Sequence, residues 1–217
     1  MTAPVSVDPA PGRPILLVGM MGVGKTTVGR LLAARLGRPY VDSDEEVEAA
    51  TGRTVRELFE EGGEQAFRPL ESQALASAFR DGRPLVVGVA GGAVLDPGNR
   101  ALIRRKGTVV WLRATPETLA RRIARPSGTT DGTTDASGHR TDHRPLLEHD
   151  PEGVLRRLAT ERRGLYEAVA DAVVDVDDVE PAAAVDRVLV AISESWGGGP
   201  GHGGGAGHGG TEGAALQ

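Results

Sequence analysis

An α/β fold of three layers, with a five-stranded parallel sheet between two layers of helices, is predicted by three observations. Five short runs, at residues 14–18, 39–42, 84–89, 108–112 and 172–176, alternate with stretches of helical apolar spacing, the order that builds parallel sheets. The first and third runs are continuously apolar, as strands covered on both faces are. Glycine or acidic clusters follow the first three runs, at residues 19–26, at Asp42 with Asp44, and at Gly91 with Gly92. Ligands of such sheets bind beyond the carboxyl ends of the strands.

Taken in order, residues 1–12 are rich in proline and small residues, so a disordered lead-in is expected before a domain at 13–196. A helix follows the first strand over 28–36 and another follows the second over 45–50. Thr54 and Glu57 are spaced as a capping box opening a further helix, and a long amphipathic helix is expected over 63–80, carrying Arg68 and Glu71 three apart. Asp96-Pro97 and Asp150-Pro151 each place an N-cap residue before a first-turn proline, and Thr115-Pro116-Glu117 opens a helix reaching Arg125. The last helix is expected over 181–195. Residues 126–143 offer Gly, Thr, Ser, Asp and His without apolar anchors, which predicts a mobile loop, with order resuming at Arg144 and the whole lid spanning 126–147. Residues 197–217 are a Gly/His-rich low-complexity tail whose His202 and His208 lack a scaffold to fix metal geometry.

Composition narrows the function. With 217 residues and 39% apolar content the chain can bury a substantial core. A net charge of −5 gives no positive face for a phosphate backbone, so no nucleic acid partner is expected. Arg104-Arg105-Lys106 is a tight basic run that reads as a solvated helix end. There is no cysteine, which excludes disulfides and thiolate chemistry. No apolar stretch approaches the roughly 18 residues of a membrane span, and no export signal opens the chain, so a cytoplasmic protein without a membrane partner is expected.

Residues 19–27 read GMMGVGKTT between the first strand and its helix. Gly19, Gly24, Lys25 and Thr26 fill the fixed positions of the GxxxxGK[ST] phosphate-binding loop. Glycines let successive backbone N–H groups point at phosphate oxygens, and the helix opening adds unpaired donors and a positive dipole end. Gly22, Val23, Gly24, Lys25, Thr26 and Thr27 are therefore the candidate nucleotide contacts. Lys25 would neutralise the β and γ phosphates and the Thr26 hydroxyl could ligate Mg²⁺, which makes a nucleoside triphosphate the expected ligand and leaves open what is done with it. Lys25 is also one of only two lysines, with Lys106, among many arginines.

Asp42 and Asp44, two apart at a strand end, face the same way if strand geometry persists. One could then hold Mg²⁺ through water while the other orients an acceptor hydroxyl and takes its proton. The alternative is an acidic start to the next helix, favourable by a few tenths to about 1 kcal/mol. Arg68, Arg144 and Arg162 lie in three separate segments. Each alone reads as surface decoration, but a site binding both phosphates and an anionic acceptor needs several cations. Arg144, at the end of the loop, is placed to stabilise charge on a transferring group, an effect worth roughly 10³ to 10⁵ in rate.

These residues resemble the shikimate kinase family over about residues 15–190, on GMMGVGKTTVGR, VDSDEEVE, GGEQAFRPLE, the Gly91-Gly92 turn, VVWLRATPETLARR, RPLL and ERRGLY. The resemblance implies a fold of P-loop kinase type, with a five-stranded parallel sheet like that of nucleoside monophosphate kinases and a mobile lid. It implies a monomer that phosphorylates the 3-hydroxyl of shikimate with ATP, on the route to aromatic amino acids. It gives Asp44 the shikimate hydroxyls and the role of base, Arg68 and Arg162 the shikimate carboxylate, and Gly91 and Gly92 the lining of that pocket. Asp42 would hold Mg²⁺ with Thr26, and Arg144 would be the lid arginine.

Three departures accompany the resemblance. Ala90 stands where the family has a third glycine, so it must keep φ below zero or accept strain. Asp177-Asp178-Val179-Glu180 replaces the neighbourhood that often carries an adenine-stacking arginine, leaving Arg125 to stack on adenine. The lid is longer than the family's by about a dozen residues, and doubling a loop costs only about 0.6 kcal/mol of closure entropy, so slower closure and not lost activity is expected. The nearest rival is a gluconate kinase-like enzyme, which would not be expected to show FRxxE with RPLL. A nucleotide-dependent switch would carry a guanine-reading NKxD motif, which this chain lacks. A non-catalytic nucleotide-binding module differs by turnover alone.

Overall fold

The computed structural model describes residues 8–124 and 150–197. Arg125, Arg144, the expected lid and nearly all of the expected tail lie outside the described residues. β1 (Ile15–Val18), β2 (Tyr40–Asp42), β3 (Val86–Gly88), β4 (Thr108–Arg113) and β5 (Ala172–Asp175) form one parallel sheet in the order β2-β3-β1-β4-β5. In register, Leu16 lies beside Val87 on one side and Val109 on the other. Ile15, Leu16 and Leu17 have no exposed surface, because a central parallel strand is covered on both faces and paired on both edges. The winding runs from β1 out to β2, back to β3, then across β1 to β4. It reverses at β1, so the turn after that strand opens at the switch point of the sheet.

The helices are α1 (Lys25–Leu36), α2 (Ser43–Thr51), α3 (Val55–Ser77), α4 (Pro97–Lys106), α5 (Pro116–Ala124), α6 (Pro151–Val169) and α7 (Pro181–Gly197). α1 packs on α7, while α4 meets α6, α6 packs on α5, and α3 reaches α4. These two groups are the outer layers. Val28, Leu32 and Ala33 are the buried stripe of α1, at helical spacing. The expected caps form: Thr54 and Glu57 make a reciprocal capping box, Asp96 accepts from Asn99 N, and Asp150 accepts from Gly153 N.

Two expectations change. The helices expected at Thr54 and Gly63 join into α3 across a kink at Gly63, whose φ of 64° and ψ of −170° leave the helical region. Glycine is the residue that takes such a φ without a Cβ penalty. The start of the chain is not wholly a free lead-in either. Ala10 is fully buried, and the nearly buried Arg38 donates from Nε to Asp8 (3.1 Å), with further bonds to the carbonyls of Ala10 (2.6 Å) and Arg13 (2.7 Å). A buried guanidinium needs such partners, and residues 8–13 supply them.

A second, smaller core of Val47, Leu58, Phe67 and Ala74 ties α2 to α3, with the Phe59 and Phe67 rings 4.5 Å apart. It fixes the helix bearing Arg68 against the helix bearing Asp44. Among the described residues no helix is long and apolar enough to cross a membrane.

Candidate active site

The turn between β1 and α1 is shaped by glycine. Gly24 caps α1 in the left-handed region at φ 98°, and a Cβ on Gly19 (φ 144°) would run into the Leu112 carbonyl. No other residue fits there without moving β4. Lys25 bends back over this loop, donating to the carbonyls of Gly19 (2.9 Å) and Met20 (3.1 Å). Beside the loop lies a cavity of ≈ 530 Å³ lined by Gly22, Val23, Gly24 and Thr27 on one side and by Arg121, Arg122, Val179 and Glu180 on the other. Arg122 spans it, donating to Val23 O (3.1 Å) and Val176 O (2.5 Å). Arg121 pairs with Asp178 at 2.6 Å. The acidic stretch that stands in place of an arginine thus forms one wall of this cavity. Neither Arg121 nor Arg122 was among the expected site residues, and no local spacing signals them.

Strand geometry does not persist from Asp42 to Asp44, contrary to the expectation for this pair. The chain turns into α2 at Ser43, and Asp42 becomes the N-cap, accepting from Asp44 N through Oδ1 (3.1 Å). The capping alternative therefore holds for Asp42, yet the same carboxylate also reaches the loop, because Thr26 Oγ1 donates to Asp42 Oδ2 at 3.1 Å. Tyr40 OH donates to that oxygen as well, at 2.9 Å. Burial, reinforced by the negative charge of Asp42, pushes the Tyr40 hydroxyl far above its usual range, so it stays a donor. Thr26 and Asp42 present oxygen donors only, which suits Mg²⁺. Among the described residues no group of three or more acidic or histidine side chains could hold a metal alone. An ion here would need phosphate oxygens and water to complete its shell, as Mg²⁺ sites commonly do.

Ser43, the middle residue of DSD, is fully buried and accepts from Ala90 N at 2.8 Å. It locks the start of α2 to the glycine turn after β3. Ala90 does not fall in the left-handed region, since Asp178 is the one non-glycine residue there among the described residues. Alanine therefore meets no left-handed backbone strain at this position.

Asp44 carries the largest carboxylate shift of the site. Burial, then the neighbouring Asp42 charge, pushes its carboxyl up to about 7, with Lys25 opposing and Glu71 and Glu48 adding to the rise. Asp44 is thus felt by charges of the phosphate loop and of α3 at once. On α3, Arg68 donates from Nη1 to Glu71 (2.7 Å) and from Nε to Glu64 (3.1 Å). Glu71 is 1% exposed. Burial raises its carboxyl, opposed by Arg68 and by Arg162. Arg162 Nη1 donates to Gly91 O (3.3 Å), Tyr166 OH donates to the same carbonyl (2.7 Å), and the buried Nε of Arg162 has no hydrogen-bond partner. A Cβ on Gly92 would lie 2.5 Å from Arg68 Nη1. Arg68, Arg162, Gly91 and Gly92 are therefore gathered at one place, which acts on Asp44 through Glu71. Glu71, Ser43 and Tyr166 complete it. Of these three, the i, i+3 spacing of Arg68 and Glu71 is the signal legible beforehand.

The chain matches the family model described as shikimate kinase over residues 21–193. It belongs to the shikimate kinase family. A shikimate kinase of Symbiobacterium thermophilum is 47% identical over 181 residues, covering 83% of this chain and 96% of that protein. One of Paramagnetospirillum magneticum is 45% identical over 179 residues, covering 82% and 83%. Among solved structures, shikimate kinase from Acinetobacter baumannii in complex with shikimate superposes with a TM-score of 0.72 at 35% identity, covering 84% of this chain and 93% of that one. Membership of the shikimate kinase family accords with the five-stranded parallel sheet and with the gathered arginines.

Proposed function

We propose that this chain transfers the γ-phosphoryl group of ATP to the 3-hydroxyl of shikimate, giving shikimate 3-phosphate and ADP, on the route to aromatic amino acids. The observation that carries this is Asp44, which is acted on both by the Lys25 charge of the phosphate loop and by Glu71, the carboxyl that Arg68 and Arg162 act on in turn. A phosphoryl donor and an anionic alcohol could meet there across a short gap.

In that reaction the acceptor oxygen forms a bond to the γ-phosphorus as the bond to the bridging β–γ oxygen breaks, roughly in line. Asp44 orients the 3-hydroxyl and accepts its proton, a task suited to a carboxyl whose pKa lies near 7. Arg68 and Arg162 hold the shikimate carboxylate, and Gly91 and Gly92 line its pocket. Gly22, Val23, Gly24 and Thr27 give backbone and hydroxyl contacts to the phosphates, and Lys25 neutralises charge developing on the γ-phosphoryl. Arg144 shares that task on the strength of the sequence resemblance, and Arg125 stacks on adenine in place of the arginine that the resemblance leads one to expect near residues 177–180. Thr26, and Asp42 through water, would hold Mg²⁺, which would offset the charge of the phosphates. The enzyme works as a monomer in the cytoplasm, where ATP and Mg²⁺ are abundant.

Coupled ADP release tests the assignment. It should rise on adding shikimate and stay near background with gluconate. An equal response to both acceptors would remove shikimate as the substrate.

A further inference from the structure

Tyr40 occupies a slot that two glycines open for it. It lies two residues before Asp42 on β2, so the two side chains share one face of the strand. Asp42 in turn stands beside Gly88 in the register of β2 with β3. A Cβ on Gly29 would strike the Tyr40 ring, and a Cβ on Gly88 would strike its hydroxyl and come within 3.2 Å of Asp42 Oδ2. The Arg30 guanidinium lies over the ring, 5.8 Å from its centroid, and is itself held by Glu45 at 2.6 Å. Glycine at both positions leaves room for a ring and, at Gly88, for the one oxygen that distinguishes tyrosine from phenylalanine.

That oxygen makes a specific bond. Asp42 Oδ2 accepts from Tyr40 OH (2.9 Å) and Thr26 Oγ1 (3.1 Å), while Oδ1 accepts from Asp44 N (3.1 Å). A carboxylate offers about four lone-pair sites, so three donors fix its rotation about the Cβ–Cγ bond. Two of the three come from groups with other work: Thr26 in the phosphate loop, and the first turn of α2. The Tyr40 hydroxyl donates to Asp42 with the Thr26 hydroxyl beside it, so it closes the contact between the two.

We propose that the Tyr40 hydroxyl is a positioning residue that holds the Asp42 carboxylate against Thr26, so that the pair is set for magnesium before the nucleotide arrives. This rests on the role given above to Asp42. Outer partners of metal-binding side chains fix ligand orientation, and their loss commonly costs about tenfold or more in metal affinity. Gly88 belongs to the same device, because it admits the hydroxyl.

The test compares wild type, Tyr40→Phe, Gly88→Ala and the double variant. ADP binding is titrated by calorimetry with and without Mg²⁺, in the absence of any acceptor. In Tyr40→Phe the strengthening of ADP binding by Mg²⁺ should fall about tenfold, with metal-free ADP affinity unchanged. Gly88→Ala should lower the melting temperature in the Tyr40 background and lower it much less in Tyr40→Phe. An undiminished Mg²⁺ increment in Tyr40→Phe would overturn the proposal, as would an equal stability loss from Gly88→Ala in both backgrounds. Because no acceptor is present, a wrong choice of shikimate would leave these results untouched.

Discussion

Gly92 and Arg68 stand so close that a Cβ on the glycine would lie 2.5 Å from Arg68 Nη1. The atom in the way is the end of a flexible side chain, and Gly92 keeps φ at −89°, a value any residue adopts. Gly92→Ala should therefore displace Arg68 and leave the backbone alone. Its expected signature is a KM for shikimate raised by about tenfold or more, with the melting temperature within a few degrees of wild type. Steady-state kinetics beside a thermal melt would read both.

Asp44 gives a pH dependence of defined sign. Its carboxyl is raised to about 7 by burial and by Asp42, against an ordinary value of 3.8. The base must be ionised to take a proton, so kcat/KM for shikimate should fall on the acid side with a midpoint near 7. Asp44→Asn should abolish turnover while ATP affinity changes little, as measured by calorimetry.

The same shift acts on stability. In the unfolded chain Asp44 ionises near its ordinary value, whereas the folded protein resists ionisation until about pH 7. Stability from this group is full below pH ~4 and is lost as pH rises through about 7. Asp44→Asn should thus melt higher than wild type at pH 8, and the difference should vanish toward pH 4. Paired thermal melts across that window would check it.

Arg162 donates to Gly91 O, and its buried Nε has no hydrogen-bond partner. Arg162→Ala should raise the KM for shikimate roughly 100-fold, since a hydrogen bond to a charged group is lost along with the Coulomb attraction. Arg162→Lys should recover little of that, because an ammonium cannot reproduce the planar fork. Near wild-type kinetics in the lysine variant would mean that only charge matters here.

Excess chelator should stop ADP release, and added Mg²⁺ should restore it, since among the described residues no acidic or histidine cluster could retain an ion without phosphates. Turnover that survives chelation would exclude a role for Thr26 and Asp42 in holding metal.

Much of this site was legible in the residues because its chemistry is contiguous. The phosphate loop lies in nine consecutive residues, and strand, turn and helix propensities around it agree. The caps at Thr54, Asp96 and Asp150 were legible for the same reason. Arg122 was not, because it donates to Val23 and Val176 carbonyls 99 and 54 residues away, and backbone acceptors leave no mark in a sequence. Ser43 binds the Ala90 amide 47 residues on, with the same result. The strand relation expected between Asp42 and Asp44 does not form. A helix N-cap, not an extended strand, relates the two, and the N-cap preference of aspartate competes directly with strand continuation. Residues 8–12 read as a lead-in because nothing local shows that Arg38 buries itself beneath them.

The most direct measurement is a crystal structure with shikimate and a non-hydrolysable ATP analogue bound together. The 3-hydroxyl is expected within hydrogen-bond distance of Asp44, facing the γ-phosphate held at Lys25, with the carboxylate on Arg68 and Arg162. Shikimate seated away from Asp44, or Asp44 and Arg68 turned from the γ-phosphate, would contradict phosphoryl transfer at this place.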